Sequence, residues 1–327
     1  MASASEDEGY QVWRIGSPDN VKVTTTGGVA LIGGGPDCDA AFKWMTSHTN
    51  GGDFVILRAS GDDAYNPYVM EMSVEAGVRI NSVTTVLFKT PGSANAPEVS
   101  DILENADGIF FAGGDQSNYI DWWTNTPVQS IIQKKVLNGV TIGGTSAGLA
   151  ILGNYIFGCL THETINSPNA MANPYDYKIT LVPGFLKIPY LETVFTDSHF
   201  VTRDRMGRLL TFLAREVTDG TGPLPIRGLG IDETTALLLD VNTGLATTVG
   251  DSFAFVCSPQ AAPETCQEKV PLTYRDIPCL RLSGTAGTVY DFNTFTGDAT
   301  AVAYVSTISY GGFLVAPYDA YGVAAVL

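Results

Sequence analysis

The chain has 327 residues, of which 45% are apolar and 16% charged, and its formal net charge at pH 7 is −16. This length and apolar fraction predict a compact protein with a large buried core and exclude an intrinsically disordered chain. The richest apolar runs, such as Ala236–Leu239, have the length of strands, and none approaches the ~18–20 residues that a membrane span needs. An acidic surface repels phosphate backbones and attracts cationic ligands, so we expect no nucleic-acid partner. The lack of a membrane-length apolar run predicts no membrane partner.

The N-terminal residues 1–27 predict a polar arm with one edge strand around Tyr10–Ile15. The first eight residues lack the basic and apolar regions of a signal peptide, which leaves an intracellular protein or a mature form with a start Met. Scarce Lys and abundant Thr, Tyr and Gly favour a secreted mature form.

From Gly28 onwards, short apolar runs alternate with helical segments. The predicted strands are Val29–Ile32, Phe54–Leu57, Thr84–Phe88, Gly108–Ala112 and Val140–Gly143. The predicted helices are Cys38–Ser47, Val69–Ala76, Pro97–Asn105 and Val128–Leu137. This alternation is typical of a parallel sheet covered by helices on both faces. The fold class is therefore α/β, with three layers.

After about residue 150 the pattern loosens. Asn166–Tyr177 is rich in Asn, Pro and Tyr and predicts a long loop, whereas an apolar stripe predicts a helix over Arg205–Arg215. From Leu229 the pattern indicates mainly β structure, with strands at Ala236–Leu239, Phe253–Val256 and Val302–Ile308. Without a repeat or a clear linker, we expect one α/β domain over residues 28–327 that is β-rich from about residue 241.

Two of the five Cys residues stand close enough in sequence to form a hairpin disulfide. Cys257 and Cys266 flank a Pro-containing turn region over Ser258–Thr265. The alternative is two reduced, partly buried thiols. No C-x-x-C metal or redox motif is present.

The segment that carries the clearest chemistry is Val140–Leu152, where an apolar strand runs into G-x-S-x-G (Gly144–Gly148) and then an apolar helix. Small residues allow the sharp turn that lifts the hydroxyl of Ser146 off the carboxyl edge of the sheet. The Ala147 N–H then points to where an oxyanion forms. The alternative is a Ser that only caps the helix.

A second loop, Phe110–Asn118, also follows a strand and so lies at the same edge. Its Gly113-Gly114 pair permits close backbone approach, and the Gly114 N–H can supply a second oxyanion donor. The alternative for Gly-Gly-Asp is a tight turn with an Asx cap.

A serine nucleophile needs a base, and the chain has three His residues. His48 fits a helix C-terminal cap and His162 is a second choice, whereas His199 precedes a cluster of basic residues. The cluster is Arg203, Arg205 and Arg208. Basic residues oppose the dipole at a helix start, so we interpret the cluster as a clamp for a carboxylate rather than as a solvated surface.

Two acidic residues stand just before a buried strand in Gly230–Leu239. A carboxylate there can accept the Nδ1–H of a catalytic histidine and stabilise the imidazolium. Asp232 and Glu233 are the candidates, and the alternative is two ordinary turn acids.

Five segments in this order resemble peptidase family S51, and within it the cyanophycinases rather than the shorter aspartyl dipeptidases. They are Gly33–Asp37, Gly113–Gln116, Gly144–Gly148, Asp197–Arg208 and Gly230–Ala236. The resemblance implies a flavodoxin-like sheet related to class I glutamine amidotransferases. It also implies site residues: the triad Ser146, His199 and Glu233, the oxyanion donors Gly114 and Ala147, and the substrate ligands Gln116, Asp197, Ser198, Arg203, Arg205 and Arg208. Ser198 stands where cyanophycinases usually have Gln.

The activity that the resemblance implies is hydrolysis of cyanophycin to β-Asp-Arg dipeptides through an acyl-enzyme. Cyanophycin is an aspartate backbone with arginine on each β-carboxylate, and its cleavage needs no metal or organic cofactor. Relatives imply a homodimer. Alternatives are an aspartyl dipeptidase or another amidase on this scaffold, or a catalytically inactive binding module. Nucleotide binding by Gly33–Gly35 is disfavoured, because the third Gly of G-x-G-x-x-G is missing.

Overall fold

The computed structural model describes residues 9–318, which form nineteen strands and eight α-helices. The strands are β1 Tyr10–Gly16, β2 Gly28–Ile32, β3 Asp53–Arg58, β4 Ser82–Phe88, β5 Gly108–Phe111, β6 Thr141–Thr145, β7 Tyr155–Phe157, β8 Leu181–Pro183, β9 Val194–Asp197, β10 Arg227–Ile231, β11 Thr235–Asp240, β12 Leu245–Gly250, β13 Phe253–Cys257, β14 Thr265–Gln267, β15 Val270–Ser283, β16 Val289–Asp291, β17 Thr296–Gly297, β18 Val302–Ser309 and β19 Gly312–Phe313. The helices are α1 Asp39–Thr49, α2 Tyr65–Glu75, α3 Pro97–Glu104, α4 Gln116–Trp123, α5 Pro127–Leu137, α6 Ala147–Ala150, α7 Ser167–Ala172 and α8 Met206–Thr218.

The first sheet has ten strands in the order β1-β4-β3-β5-β6-β2-β11-β12-β16-β17. Strands β4, β3, β5, β6 and β2 are parallel, and the strands outside them pair antiparallel. Both faces of the parallel part are buried: in β2, Val29 and Leu31 join one core cluster while Ala30 and Ile32 join another. This confirms the predicted parallel sheet between two helical layers, and also the predicted edge strand β1.

The second sheet orders its strands β19-β18-β15-β13-β10-β9-β7-β8, with β14 added beside β15. It begins at β7, well before residue 241, and only β7, β9 and β10 run parallel. In β13, Ala254 and Val256 face the core shared with the first sheet, whereas Phe255 packs with helix α8. The second sheet therefore lies between the first sheet and α8.

Two helices lie where none was predicted. The predicted loop Asn166–Tyr177 is wrong, because α7 forms inside it: the Asn166 side chain accepts a hydrogen bond from the Asn169 N–H, and Pro168 stands in the first turn. Helix α4 was missed, and its N-terminus is capped by Asp115, which accepts from the Ser117 N–H at 3.0 Å. Both caps are short polar residues of types that are also common in loops.

The proposed Cys257–Cys266 disulfide is wrong, because Cys257 bonds to Cys279. Strand β13 pairs with β15, which puts Cys257 directly opposite Cys279 with their Cα atoms 4.1 Å apart. Cys266 lies on β14 and is a buried free thiol. Within residues 9–318, no helix combines the length and apolar character that crossing a membrane requires.

Candidate active site

Ser146 occupies the turn between β6 and α6, with φ 55° and ψ −115°. A non-glycine residue held in such a conformation costs on the order of 1–3 kcal/mol, and strain of this kind concentrates at active sites. The turn is tight, because a Cβ atom at Gly148 would lie 2.1 Å from the Phe111 carbonyl oxygen. The small residues of G-x-S-x-G are thus required by backbone packing.

A hydrogen-bonded line joins three of the predicted residues. Ser146 Oγ lies 2.7 Å from His199 Nε2, and His199 Nδ1 lies 2.5 Å from Glu233 Oε1. Ser146 follows β6 of the first sheet, whereas His199 and Glu233 follow β9 and β10, which are parallel neighbours in the second sheet. The site therefore forms where strand ends of the two sheets meet.

The end of β2 and the loop after it bind all three turns through consecutive backbone carbonyls. The N–H groups of Ser146, His199 and Thr234 donate to the carbonyls of residues 32, 33 and 34 at 3.2, 2.7 and 3.1 Å, respectively. The loop has no room for side chains at these positions: a Cβ at Gly34 would lie 2.5 Å from the His199 ring, and one at Gly35 would lie 2.8 Å from Glu233. Sequence reasoning used Gly33–Asp37 only as a family motif and missed this role.

Burial lowers the pKa of His199, and the positive charges of Arg203 and Arg205 lower it further, whereas Glu233 opposes the shift. The imidazole is therefore neutral at neutral pH. Because its Nδ1–H donates to Glu233, Nε2 keeps a lone pair toward the Ser146 hydroxyl. This is the state that a general base needs.

Asp232, the second acidic candidate, has a structural role. Its buried Oδ1 accepts hydrogen bonds from the N–H groups of Val201 and Thr202 at 3.0 and 2.9 Å and from the Thr202 hydroxyl at 3.0 Å. Its Oδ2 accepts from the Ser252 hydroxyl at 2.7 Å. Asp232 thus fixes the turn that follows His199, which the sequence left as one of two possibilities.

Asp197 and Arg208 bind each other in a buried, bidentate pair. Arg208 Nε lies 2.7 Å from Asp197 Oδ2, and Arg208 Nη2 lies 2.5 Å from Oδ1. Burial would raise the pKa of Asp197, but Arg208 and Arg205 hold it below its usual range. Arg208 also donates to the Thr164 hydroxyl at 3.0 Å. Most of the hydrogen-bonding capacity of these two predicted substrate ligands is thus used inside the protein.

The other two arginines differ in exposure, since Arg205 is mostly buried and Arg203 is exposed. Arg205 donates to the Ser198 carbonyl at 2.9 Å, and burial lowers the pKa of Arg205 to about 10, so it stays charged at neutral pH. The Arg203 side chain is 53% exposed, and its Nε lies 3.9 Å from Glu233 Oε1. Arg203 is therefore the guanidinium of the cluster that is freest to meet a ligand.

A cavity of about 250 Å³ lies beside Ser146. The predicted residues that line it are Gly114, Gln116, Ser146, Ala147, Ser198, Arg203, Arg205 and Arg208. Gln116 donates to the Phe157 carbonyl at 3.0 Å. The Gly113–Gly114 turn is braced by the Tyr119 hydroxyl, which contacts the Gly113 carbonyl at 3.0 Å. Sequence reasoning missed Tyr119, which lies on the unpredicted helix α4.

The lining of the cavity also includes His162. His162 Nδ1 lies 3.1 Å from Asp115 Oδ2 and 3.0 Å from Ser117 Oγ, so its partner is an acidic residue rather than Ser146. His48 lies in the last turn of α1, with Nδ1 2.8 Å from the Trp44 carbonyl. In the described part of the chain, no three His, Cys, Asp or Glu side chains come together as a metal-binding group.

Comparison with known proteins gives the family. The model of Peptidase family S51 matches residues 58–240, more than half of the chain. The cyanophycinase of Nostoc sp. is 31% identical over 186 residues, or 55% of this chain and 56% of that protein, and the one of Trichormus variabilis is 31% identical over 181 residues, or 54% of each. The chain thus matches little more than half the length of these curated relatives.

A solved structure supports the fold. The crystal structure of a peptidase from an acI-B1 Actinobacterium superimposes with a TM-score of 0.52 at 20% identity, over 71% of this chain and 91% of that one. At this identity the likeness concerns the α/β architecture alone. The match of the family model over residues 58–240 establishes family membership as well as fold. The chain belongs to peptidase family S51.

Proposed function

We propose that this protein is a peptidase, and specifically a serine hydrolase with Ser146 as nucleophile, His199 as general base and Glu233 as the residue that orients the base. The observation that carries the proposal is the continuous line of hydrogen bonds from hydroxyl to imidazole to carboxylate, at 2.7 and 2.5 Å. The lowered pKa of His199 adds to it, because a neutral imidazole is needed to accept the proton.

The reaction follows from this arrangement. Ser146 Oγ attacks the carbonyl carbon of the scissile amide while its proton moves to His199 Nε2. The tetrahedral intermediate then collapses: the C–N bond breaks, and the imidazolium returns the proton to the departing amine. Water, deprotonated by His199, next attacks the acyl ester, releases the acid and restores the Ser146 hydroxyl. Glu233 stabilises the imidazolium in both halves of the reaction.

The oxyanion of each intermediate needs two donors that are fixed in advance. We assign them to the backbone N–H groups of Ala147, the first residue of α6, and of Gly114. Gly113 lies close to the nucleophile, since a Cβ atom there would stand 3.5 Å from Ser146 Cβ. The two loops are thus near enough to act on one oxygen.

For the substrate, we propose cyanophycin or another β-aspartyl peptide. The relatives named cyanophycinase support this choice, as does the charge of the cavity. Arg203 and Arg205 line it and can bind a carboxylate of the substrate, with Gln116 and Ser198 beside them. We assign Asp197 and Arg208 to holding this wall, because they bind each other. The net charge of −16 favours the guanidinium groups of such a polymer.

A second candidate is a peptidase for small α-aspartyl dipeptides. The side chain of Ser198 favours it, since this short residue is itself engaged with Arg205, at 3.3 Å, and contributes less to a long substrate than Gln would. Both candidates use the same hydrolytic chemistry.

One experiment separates the candidates. The purified protein is incubated with insoluble cyanophycin and, separately, with Asp-X dipeptides, and products are identified by mass spectrometry. We expect clearing of the polymer, release of β-Asp-Arg, and loss of both in Ser146→Ala. Dipeptide turnover without clearing would refute the polymer as substrate. Clearing by Ser146→Ala at the wild-type rate would remove Ser146 from the mechanism.

A further inference from the structure

The turn from His199 to Met206 carries three groups of the proposed site, namely His199, Arg203 and Arg205. Its backbone is unusual, because His199 and Asp204 have φ values of 48° and 47°. Non-glycine residues keep such conformations only where the surrounding structure imposes them. Something must therefore hold this turn on each side.

One side of the turn is held by Asp232, through the hydrogen bonds described above. The other side is held by Tyr318, more than a hundred residues later in the chain. Its hydroxyl accepts a hydrogen bond from the Met206 N–H at 2.9 Å and donates one to the Phe200 carbonyl at 3.1 Å. The same carbonyl accepts from the Arg205 N–H at 2.8 Å. A single phenol thus joins the residue after His199 to the residue after Arg205.

The Tyr318 ring is anchored independently of its hydroxyl. It packs edge-on against Phe200 and Phe255, with ring centroids 6.1 and 5.7 Å apart. Burial raises the pKa of the Tyr318 phenol, so the hydroxyl remains protonated and can donate throughout the neutral range. Tyr318 also lies outside residues 58–240, which match the family.

We propose that Tyr318 is a positioning residue for hydrolysis: it closes the His199–Met206 turn and so aligns the base with Ser146 and places Arg203 and Arg205 at the cavity. This inference rests on the proposed function. Without the hydroxyl, the buried Met206 N–H loses its acceptor while the aromatic packing remains. The released end of the turn is the end that carries Arg205.

Tyr318→Phe tests this directly, because it removes one oxygen and keeps the ring. Tyr310→Phe is the matched control, since Tyr310 lies in the same C-terminal part and is 82% exposed. A small fluorophosphonate that labels the nucleophilic serine gives a rate as a function of pH without any peptide substrate. Hydrolysis gives kcat and KM separately, and thermal unfolding reports whether each variant is folded.

We expect Tyr318→Phe to be labelled about fivefold to tenfold more slowly, which is the size of one lost hydrogen bond. The acidic limb of its pH–rate profile moves to higher pH. A looser turn exposes His199 to water and so weakens the burial that lowers its pKa, whereas Glu233, Arg203 and Arg205 still face the imidazole. KM rises because Arg205, which we propose binds a carboxylate of the substrate, is held less firmly at the cavity. Amide hydrogen exchange of Met206 becomes faster, which can be measured even if the variant is less stable.

Wild-type labelling rate, pH profile and KM in a folded Tyr318→Phe would overturn the inference, even if its melting temperature falls, because a purely structural residue behaves that way. The result would leave the proposed function intact. Labelling of Ser146→Ala at the wild-type rate is a different failure: it removes the proposed nucleophile and the positioning inference with it.

Discussion

Replacing Glu233 by Gln separates charge from shape in the proposed triad. The carboxylate oxygen lies 2.5 Å from His199 Nδ1, and the amide has nearly the same size. Gln cannot stabilise the imidazolium by charge, and its NH₂ group competes for the place of the oxygen that accepts the Nδ1–H. The substitution therefore tests what Glu233 contributes beyond packing.

The expected loss of activity follows from the distance between the charges of Glu233 and the protonated His199. With the two charge centres ~4 Å apart and an effective dielectric constant of about 20, the lost attraction is about 4 kcal/mol. The Glu233 side chain is 23% exposed, so solvent screens part of this energy. Since about 1.4 kcal/mol corresponds to a factor of ten, we expect kcat/KM to fall by about 10²- to 10³-fold. The pKa of His199 falls as well, because Glu233 is the group that raises it.

The assay is the pH dependence of kcat/KM, measured for wild type, Glu233→Gln and Glu268→Gln. Glu268 is an exposed residue whose carboxylate pairs only at the surface, with Lys269, and it controls for the chemical change itself. Glu233→Gln should have a lower plateau and an acidic limb at lower pH. A loss smaller than about threefold, or a limb that moves to higher pH, would refute the reasoning.

Three further substitutions follow from neighbouring contacts. Arg203→Gln should move the acidic limb of the kcat/KM profile to higher pH, since Arg203 lowers the pKa of His199, and should raise KM; saturation curves at several pH values give both. His162→Gln should keep kcat within about threefold of wild type, because His162 binds Asp115; a loss as large as that of His199→Gln would contradict this. Asp232→Asn should lower the free energy of unfolding by about 1.5–3 kcal/mol in urea, as charged hydrogen bonds are weakened.

The convergence of the three site turns could be predicted in part. Short apolar runs that alternate with helices give a parallel sheet, and G-x-S-x-G at a strand end puts Ser146 at its carboxyl edge. The second sheet could not be predicted in this way. Strands β7 and β8 have three residues each, too few for a period to be visible. The ends of β9 and β10 therefore reach Ser146 from a sheet of which the sequence indicated only later strands, such as β13 and β18.

The sequence predicts roles for charged residues from their type alone, whereas their actual roles depend on the residues they contact. Arg205 and Arg208 both line the cavity and both contact Asp197. Arg208 holds this carboxylate in a buried bidentate pair, whereas Arg205 reaches it with one nitrogen at 3.3 Å and also donates to Ser198. The need to know which distant residues meet also explains why the predicted Cys257–Cys266 disulfide is wrong. A turn between Cys257 and Cys266 suggests a local hairpin, but long-range pairing puts Cys279 opposite instead. Pairing between distant segments has no local signature.

The loop after β2 explains why the site depends on residues that carry no chemistry. Strand β2 lies between β6 and β11 in the first sheet, so the loop that follows it comes between the turn of Ser146 and the turn of Glu233. The carbonyls of residues 32, 33 and 34 each accept a hydrogen bond from one of three turns. The donors in these turns, Ser146, His199 and Thr234, all have positive φ. For β-branched Thr234 such a φ is a true outlier, which the neighbouring backbone must impose. Backbone acceptors leave only one trace in a sequence, the absence of side chains, and the three glycines at residues 33–35 are that trace.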